Sequence, residues 1–197
     1  MDKCQDSGVT CYNRHPDIFD QAKALLPTSP AFVRILSFGC SSGEEAQTLR
    51  DLGASYWRVD GAESNPDLLA KARAADPKGL YVPDARVLPT CSYDAIFCMS
   101  VLCRFQSPTT DFPFSTFERV LGWIIDLLRP GGILIIYNAE YDPRETVKGA
   151  TLLEALPGKV FGGSGFVPKY TKDMYTELPA SVAQAVPYLY RKRQQES

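Results

Sequence analysis

Phe32-Val33-Arg34-Ile35-Leu36-Ser37-Phe38-Gly39-Cys40-Ser41-Ser42-Gly43-Glu44-Glu45 is the stretch that decides the fold. Its first half is apolar and β-rich, as in a strand buried on both faces, and it ends at Gly39. Its second half turns through small residues into a helix, Glu44 to Leu52. Ala46, Leu49 and Leu52 fall on one side of that helix, and Gly53 is placed to close it. A strand, a glycine-containing turn and a helix in that order open a βαβ unit.

Working outward, the same alternation continues. Tyr56 to Ala62 reads as a second strand. Asn65 caps a helix that opens with Pro66 and runs to Ala75. Gly79 to Pro83 is a third strand, Asp94 to Met99 a fourth, and Ser115 to Leu128 a long amphipathic helix. Arg129-Pro130-Gly131-Gly132 then turns into a fifth strand, Ile133 to Asn138. Upstream, Pro16 to Leu26 has helical spacing, and residues 1–15 are polar and irregular. Beyond Tyr141 come a helix from Glu145 to Leu156 and the loop Gly162 to Gly165. Two β-like pieces follow, Phe166 to Tyr170 and Val186 to Arg191, expected to pair antiparallel at the sheet edge. The expectation is a single α/β domain over residues 1–197, with a mostly parallel central sheet covered by helices on both faces. Residues 31–140 are its ligand-binding core, residues 1–30 a segment and helix covering the site, and residues 141–197 the acceptor-side and sheet-edge region.

Composition removes several classes of function. Hydrophobic residues make up 45% of the 197 and charged residues 22%, enough to bury a core. A formal net charge of -2 supplies no field for nucleic acid or an anionic membrane. Arg191, Lys192 and Arg193 form the one basic cluster and read as a solvated tail. No apolar run approaches the ~20 residues that cross a bilayer, and residues 1–6 lack a signal-peptide core, so the expected location is the cytoplasm. Cysteines at 4, 11, 40, 91, 98 and 103 include no C-x-x-C pair and read as small buried hydrophobes. With a single histidine and no Cys/His cluster, no metal site is expected. A hydrolase triad would have to use His15, which lies far from any nucleophile-elbow pattern.

Open parallel sheets bind ligands beyond the carboxyl ends of their strands, where strand order reverses. The residues just after each strand therefore form the candidate site. After the first come Gly39, Cys40, Ser41, Ser42, Gly43 and Glu44, which let a ligand approach the backbone and the free amides of the next helix. After the second comes Glu63, suited to the two hydroxyls of a ribose. After the third come Asp84 and Ala85, placed for an adenine amino group, and after the fourth Ser100 and Val101. The G-x-x-x-G turn lacks the G-x-G-x-x-G spacing of a dinucleotide site, and the glutamates behind Gly43 would repel a pyrophosphate.

Taken together, with Leu128-Arg129-Pro130-Gly131-Gly132 before the fifth strand, this order resembles the class I S-adenosylmethionine-dependent methyltransferases over roughly residues 10–140. The resemblance implies a Rossmann-like methyltransferase fold, S-adenosylmethionine as cofactor, and methyl transfer as the reaction. Gly39-Cys40-Ser41-Ser42-Gly43-Glu44-Glu45 is similar to the G-C-[SA]-[ST]-G-E-E turn of the chemotaxis-receptor methyltransferase (CheR) family. Thr10-Cys11-Tyr12-Asn13-Arg14 is similar to that family's T-x-F-F-R. By that resemblance Thr10 and Arg14 contact the cofactor, with Glu44, Glu63, Asp84, Ala85, Ser100 and Val101 at its other cofactor positions. The sequence departs at Ser100-Val101-Leu102-Cys103-Arg104-Phe105, where Arg104 stands in place of the family's tyrosine. Only some thirty residues precede the first strand, so that family's receptor-docking domain is not expected here.

An acceptor that is already nucleophilic needs positioning and desolvation more than a strong base. Arg14, His15, Arg104 and Tyr137 are the candidate catalytic residues, with Asn138 and Tyr141 beside them in the cleft. Arg14 and Arg104 suit a carboxylate-bearing acceptor, and the Gly162 to Gly165 loop, flanked by Phe161 and Phe166, suits a cover. With no docking domain expected, a small-molecule acceptor is favoured over a protein side chain. Glutamate-type protein methylation and a non-catalytic binding role stay open, and nothing in the sequence sets the oligomeric state.

Overall fold

The computed structural model describes residues 8–27, 32–103, 112–157, 170–173, 178–179, 181–182 and 186–194. Arg104, Phe161, Phe166 and the Gly162 to Gly165 loop lie outside the described residues. Helix α1 is Pro16–Leu25 and strand β1 Val33–Phe38. Helix α2, Glu44–Gly53, leads to β2, Trp57–Ala62. Helix α3, Pro66–Ala75, precedes β3, Tyr81–Val82, and β4, Tyr93–Met99. Helix α4, Phe114–Leu127, runs straight into β5, Leu128–Tyr137. A short helix α5, Val147–Leu152, continues into β6, Leu153–Ala155, and β7 is Leu189–Lys192.

These strands form one sheet in the order β3-β2-β1-β4-β5-β7-β6. The first five run parallel, and β7 lies antiparallel to both β5 and β6. Alternation along each strand divides the apolar side chains between two faces. Leu36, Phe38, Ile96, Leu134 and Ile136 pack with Phe117, Leu121 and Ile124 of α4. Val33, Ile35, Phe97, Ile133 and Ile135 pack with Ile18 and Phe19 of α1, Leu49 of α2 and Leu69 of α3. Strand order reverses between β1 and β4, so the ligand crevice opens above their carboxyl ends.

Most expected elements are found, and the departures have local causes. The fifth strand begins at Leu128 because Leu128 already pairs with Tyr93, and the Arg-Pro-Gly-Gly stretch bulges before Ile133 pairs with Ala95. The helix expected from Glu145 to Leu156 is only Val147–Leu152, capped by the Thr146 side chain, because Leu153 turns extended to pair with Lys192. Among the described residues the antiparallel pair at the sheet edge is thus β6 with β7, and residues 166–169 of the other expected piece lie outside the described residues. Lys192 is no solvated tail. It is buried, and its ammonium donates to Ile125 O at 2.8 Å and Leu128 O at 2.7 Å, carbonyls that the end of α4 leaves open. The described cysteines divide: Cys40, Cys98 and Cys103 are buried, whereas Cys11 and Cys91 are exposed, and Cys4 lies outside the described residues. No helix among the described residues is long and apolar enough to cross a membrane.

At the amino ends of the strands a polar cluster ties three strands together. Asp60 of β2 accepts from Arg34 of β1 at 2.8 Å and from the hydroxyl of buried Tyr93 of β4 at 2.8 Å. Asp94 accepts from Arg34 N at 2.7 Å and pairs with Arg129.

Candidate functional site

The turn after β1 is wound through left-handed backbone at Gly39 (φ 75), Ser41 (φ 51) and Gly43 (φ 102). Gly39 N and Cys40 N both donate to Ala62 O, at 2.8 and 3.1 Å, which ties the turn to the end of β2. A Cβ on Gly39 would stand 2.5 Å from Val101 Cγ2, so glycine here lets the segment after β4 close against the turn. We expect Gly39→Ala to cost about 1–3 kcal/mol from overpacking, added to the strain of positive φ. Adding Val101→Ala should recover part of the loss in denaturant unfolding. Purely additive effects would show that the two positions do not press on each other.

Glu63 is fixed by two backbone amides. Ser41 N donates to Oε2 at 3.0 Å and Asn65 N to Oε1 at 2.8 Å, and Asn65 in turn caps α3. The carboxylate thus clamps the glycine turn to the next helix while each oxygen keeps a lone pair for a ligand. Ser42 Oγ donates to both oxygens of Glu44, at 3.0 and 2.9 Å. Glu45, one residue on, points the other way. Its carboxyl is enclosed against β1, where Ser37 Oγ donates to it at 2.7 Å, and burial pushes it up to about 8. Cys40 beside them is buried, and that burial raises its thiol far above the ordinary range, so it is no nucleophile.

At the end of β3, Asp84 accepts from Arg86 N at 2.9 Å and grips the Arg86 guanidinium with both oxygens. The guanidinium holds its carboxyl well below the usual carboxylate range. Arg86 itself lies over the Trp123 ring, 5.0 Å from the centroid. Ala85 is buried next to it.

The ends of β4 and β5 form a matched pair. Ser100 (φ 56) and Asn138 (φ 58) are both left-handed and buried, and Asn138 Nδ2 donates to Ser100 Oγ at 3.1 Å. Ser100 N donates to Tyr137 O at 2.7 Å. Non-glycine residues in this conformation cost roughly 1–3 kcal/mol each and concentrate at functional sites.

Residues 8–15 cross the mouth of this crevice. Ser41 Oγ donates to Gly8 O at 2.7 Å, and Asn13 N donates to Thr48 Oγ1 at 2.8 Å. Thr10 lies half-buried along that path. At its far end the His15 ring rests on Tyr137, with centroids 4.8 Å apart. Arg14 is exposed; burial lowers the titration of His15, with the Arg14 charge adding to it, whereas burial raises that of Tyr137 against the pull of Arg14. Of the sequence candidates, Arg14, His15 and Tyr137 come together here. Tyr141 does not join them: it is fully buried, donates to Phe112 O at 2.9 Å, and packs on Phe114 and Phe117. The sequence reading missed the Ser37–Glu45 contact and the anchoring of Gly8 and Asn13. Helical geometry places Glu44 and Glu45 about 100° apart, but only the tertiary fold says which one meets the sheet.

A crevice at the switch point, a glycine turn and a carboxylate at the end of β2 now stand in one site. A family model described as "Methyltransferase domain" matches residues 12–178. The chain belongs to that family. Its sheet and helices form the Rossmann-like class I methyltransferase fold.

Among curated proteins this methyltransferase domain is similar to the "Ubiquinone biosynthesis O-methyltransferase" of Xanthomonas axonopodis pv. citri (strain 306). The two are 28% identical over 122 residues, 58% of this chain and 46% of that protein. It is also similar to the mitochondrial "Ubiquinone biosynthesis O-methyltransferase" of Schizosaccharomyces pombe, at 30% over 110 residues, 52% of this chain and 36% of that protein. The chain therefore spans less than half the length of these relatives. Among solved structures it is similar to an S-adenosylmethionine dependent methyltransferase from Mesorhizobium loti. That match is 27% identical and covers 63% of this chain and 54% of that one, with a TM-score of 0.45.

Proposed function

We propose that this domain transfers a methyl group from S-adenosylmethionine to an oxygen of a small-molecule acceptor in the cytoplasm. The observation that carries the reading is Glu63, a carboxylate held by two backbone amides at the end of β2, directly beside the glycine turn. The donor set fits the cofactor by its chemistry. Glu63 suits the ribose hydroxyls and Asp84 the adenine amine. Glu44, the turn from Gly39 to Gly43 and the opening amides of α2 suit the ammonium and carboxylate of the methionine part. Glu44 at the head of α2 would repel a pyrophosphate. When bound, the cofactor supplies an electrophilic methyl on a sulfonium.

The acceptor belongs over the ends of β4 and β5, where Ser100, Val101, Tyr137 and Asn138 meet the segment carrying Arg14 and His15. Arg14 offers a guanidinium to an acceptor that also carries a carboxylate. The names of the curated relatives, O-methyltransferases of ubiquinone biosynthesis, support a small aromatic acceptor over a receptor glutamate. The CheR-like turn is then a shared solution for holding the cofactor.

Calorimetric titration with S-adenosylhomocysteine tests the reading, with NADH as control. Saturable binding is expected, weakened by about 1–3 kcal/mol in Glu63→Ala, the usual cost of losing hydrogen bonds to a charged group. Absence of binding by folded protein would sink the proposal.

A further inference from the structure

His15 is the one histidine in the chain, and among the described residues its side chain makes no hydrogen bond that would tie it to the fold. It stands at the N-cap of α1 but makes no side-chain cap, and neither imidazole nitrogen has a hydrogen-bond partner among the described residues. The ring is instead half-buried against Tyr137, at the carboxyl end of β5. Its position follows from the path of residues 8–15. Gly8 is anchored on the glycine turn and Asn13 on the first turns of α2, which brings His15 from the cofactor end to the acceptor end of the crevice.

We infer that His15 is the proton acceptor in the reaction, and that the methyl acceptor therefore presents a hydroxyl, phenolic or enolic, rather than a preformed anion. This rests on the methyl-transfer reading above. A carboxylate or thiolate reacts without losing a proton, so a base at the strand ends is useful where a proton must leave the attacking atom, and for the oxygen acceptor proposed above that means an O–H. Proton and electrons balance simply. His15 takes the hydroxyl proton, the oxygen lone pair forms the new O–C bond, and the C–S bond breaks with its electron pair left on sulfur. The products are a methyl ether, S-adenosylhomocysteine and an imidazolium that returns its proton to water.

The surroundings keep the imidazole ready for this step. Burial, with Arg14 adding to it, lowers its titration below the ordinary histidine value, so the free base prevails at neutral pH. The ionisable groups on the elements packed around it are Arg14 before the helix, Asp17, Asp20 and Lys23 in α1, Glu44, Glu45, Arg50 and Asp51 in α2, and Arg129 and Tyr137 in β5. Of these, only Arg14 shifts it. Tyr137 holds the ring in place and is a positioning residue.

Because the histidine is unique, its imidazole gives a single resonance in a 1H–13C NMR spectrum and can be titrated without assignment. Arg14→Gln should raise its pKa. With S-adenosylhomocysteine bound, catechol and 4-hydroxybenzoate should shift that resonance, whereas 1,2-dimethoxybenzene, which has no hydroxyl, should leave it in place. With S-adenosylmethionine and a hydroxyl acceptor, His15→Gln should lower kcat by about 100- to 10,000-fold while S-adenosylhomocysteine affinity stays unchanged. The acidic limb of the kcat/KM profile should follow the NMR titration and move upward in Arg14→Gln. A silent imidazole against both hydroxyl probes, or full kcat in His15→Gln, overturns the assignment while leaving the methyl-transfer reading intact. Failure to bind S-adenosylhomocysteine overturns both.

Discussion

Glu45→Gln becomes more stable than the parent protein as pH rises from 5 to 9, by a margin of about 3–5 kcal/mol at the alkaline end. The sign follows from where the carboxyl titrates. It is pushed up to about 8 in the fold from an ordinary value of 4.5, so the folded chain binds this proton more tightly than the unfolded chain. Its contribution is fully present below about pH 4.5 and is lost as pH rises through about 8. Glutamine keeps an acceptor for Ser37 Oγ and has no proton to lose, so the variant escapes the penalty. Urea unfolding at pH 5, 7 and 9 reads the effect directly. A stability difference that does not change with pH would show that Glu45 is solvated in the folded protein. The chemical consequence is local: Glu45 brings no charge to the cofactor end of the crevice at neutral pH.

Asp60→Ala should be the most damaging change at the opposite end of the sheet, at about 3 kcal/mol. Most of that loss, about 1–3 kcal/mol, comes from the Tyr93 hydroxyl, which is buried with Asp60 as its acceptor. The Arg34 pair adds little, because the guanidinium side chain is 35% exposed and turns to water when released. The same logic makes a sharper prediction. Tyr93→Phe in the Asp60→Ala background removes the orphaned hydroxyl, so the double variant should be no less stable than Asp60→Ala alone. Additive losses in chemical denaturation would show that the hydroxyl finds another partner.

The parallel part of the sheet is legible in the sequence because local and tertiary demands agree there. β1 is mostly apolar, with Val33, Ile35, Leu36 and Phe38 buried, because helices cover both its faces. Asn65 and Pro66 mark the start of α3 by capping chemistry alone, and the structure shows Asn65 accepting from Asp67 N and Leu68 N. Glycine spacing after β1 places the turn, and Glu63 follows from the length of one α2–β2 unit. The region after Tyr141 is harder to read. β6 is short and half exposed, and only pairing with β7 makes it a strand, so its residues continue the helical pattern of α5. Lys192 reads as solvent-exposed until the end of α4 is seen to offer it two carbonyls. The site shows the same division. Positions after strands are predictable from topology, whereas the rotation that separates Glu44 from Glu45, and the meeting of His15 with Tyr137, come from packing between distant segments.

The place of β7 in the sheet bears on how the protein is made. β7 lies between β5 and β6, although it is synthesised after both. Until residues 189–192 leave the ribosome, the hydrophobic edge of β5 is bare and β6 has no neighbour. At roughly 5–20 residues per second, that interval lasts about 3–10 s. An unpaired edge of Ile133, Leu134 and Ile135 is a template for pairing with another nascent chain. Crowded polysomes, rather than the finished protein, are where this fold is most exposed to aggregation, and where a holding chaperone would have most effect on yield.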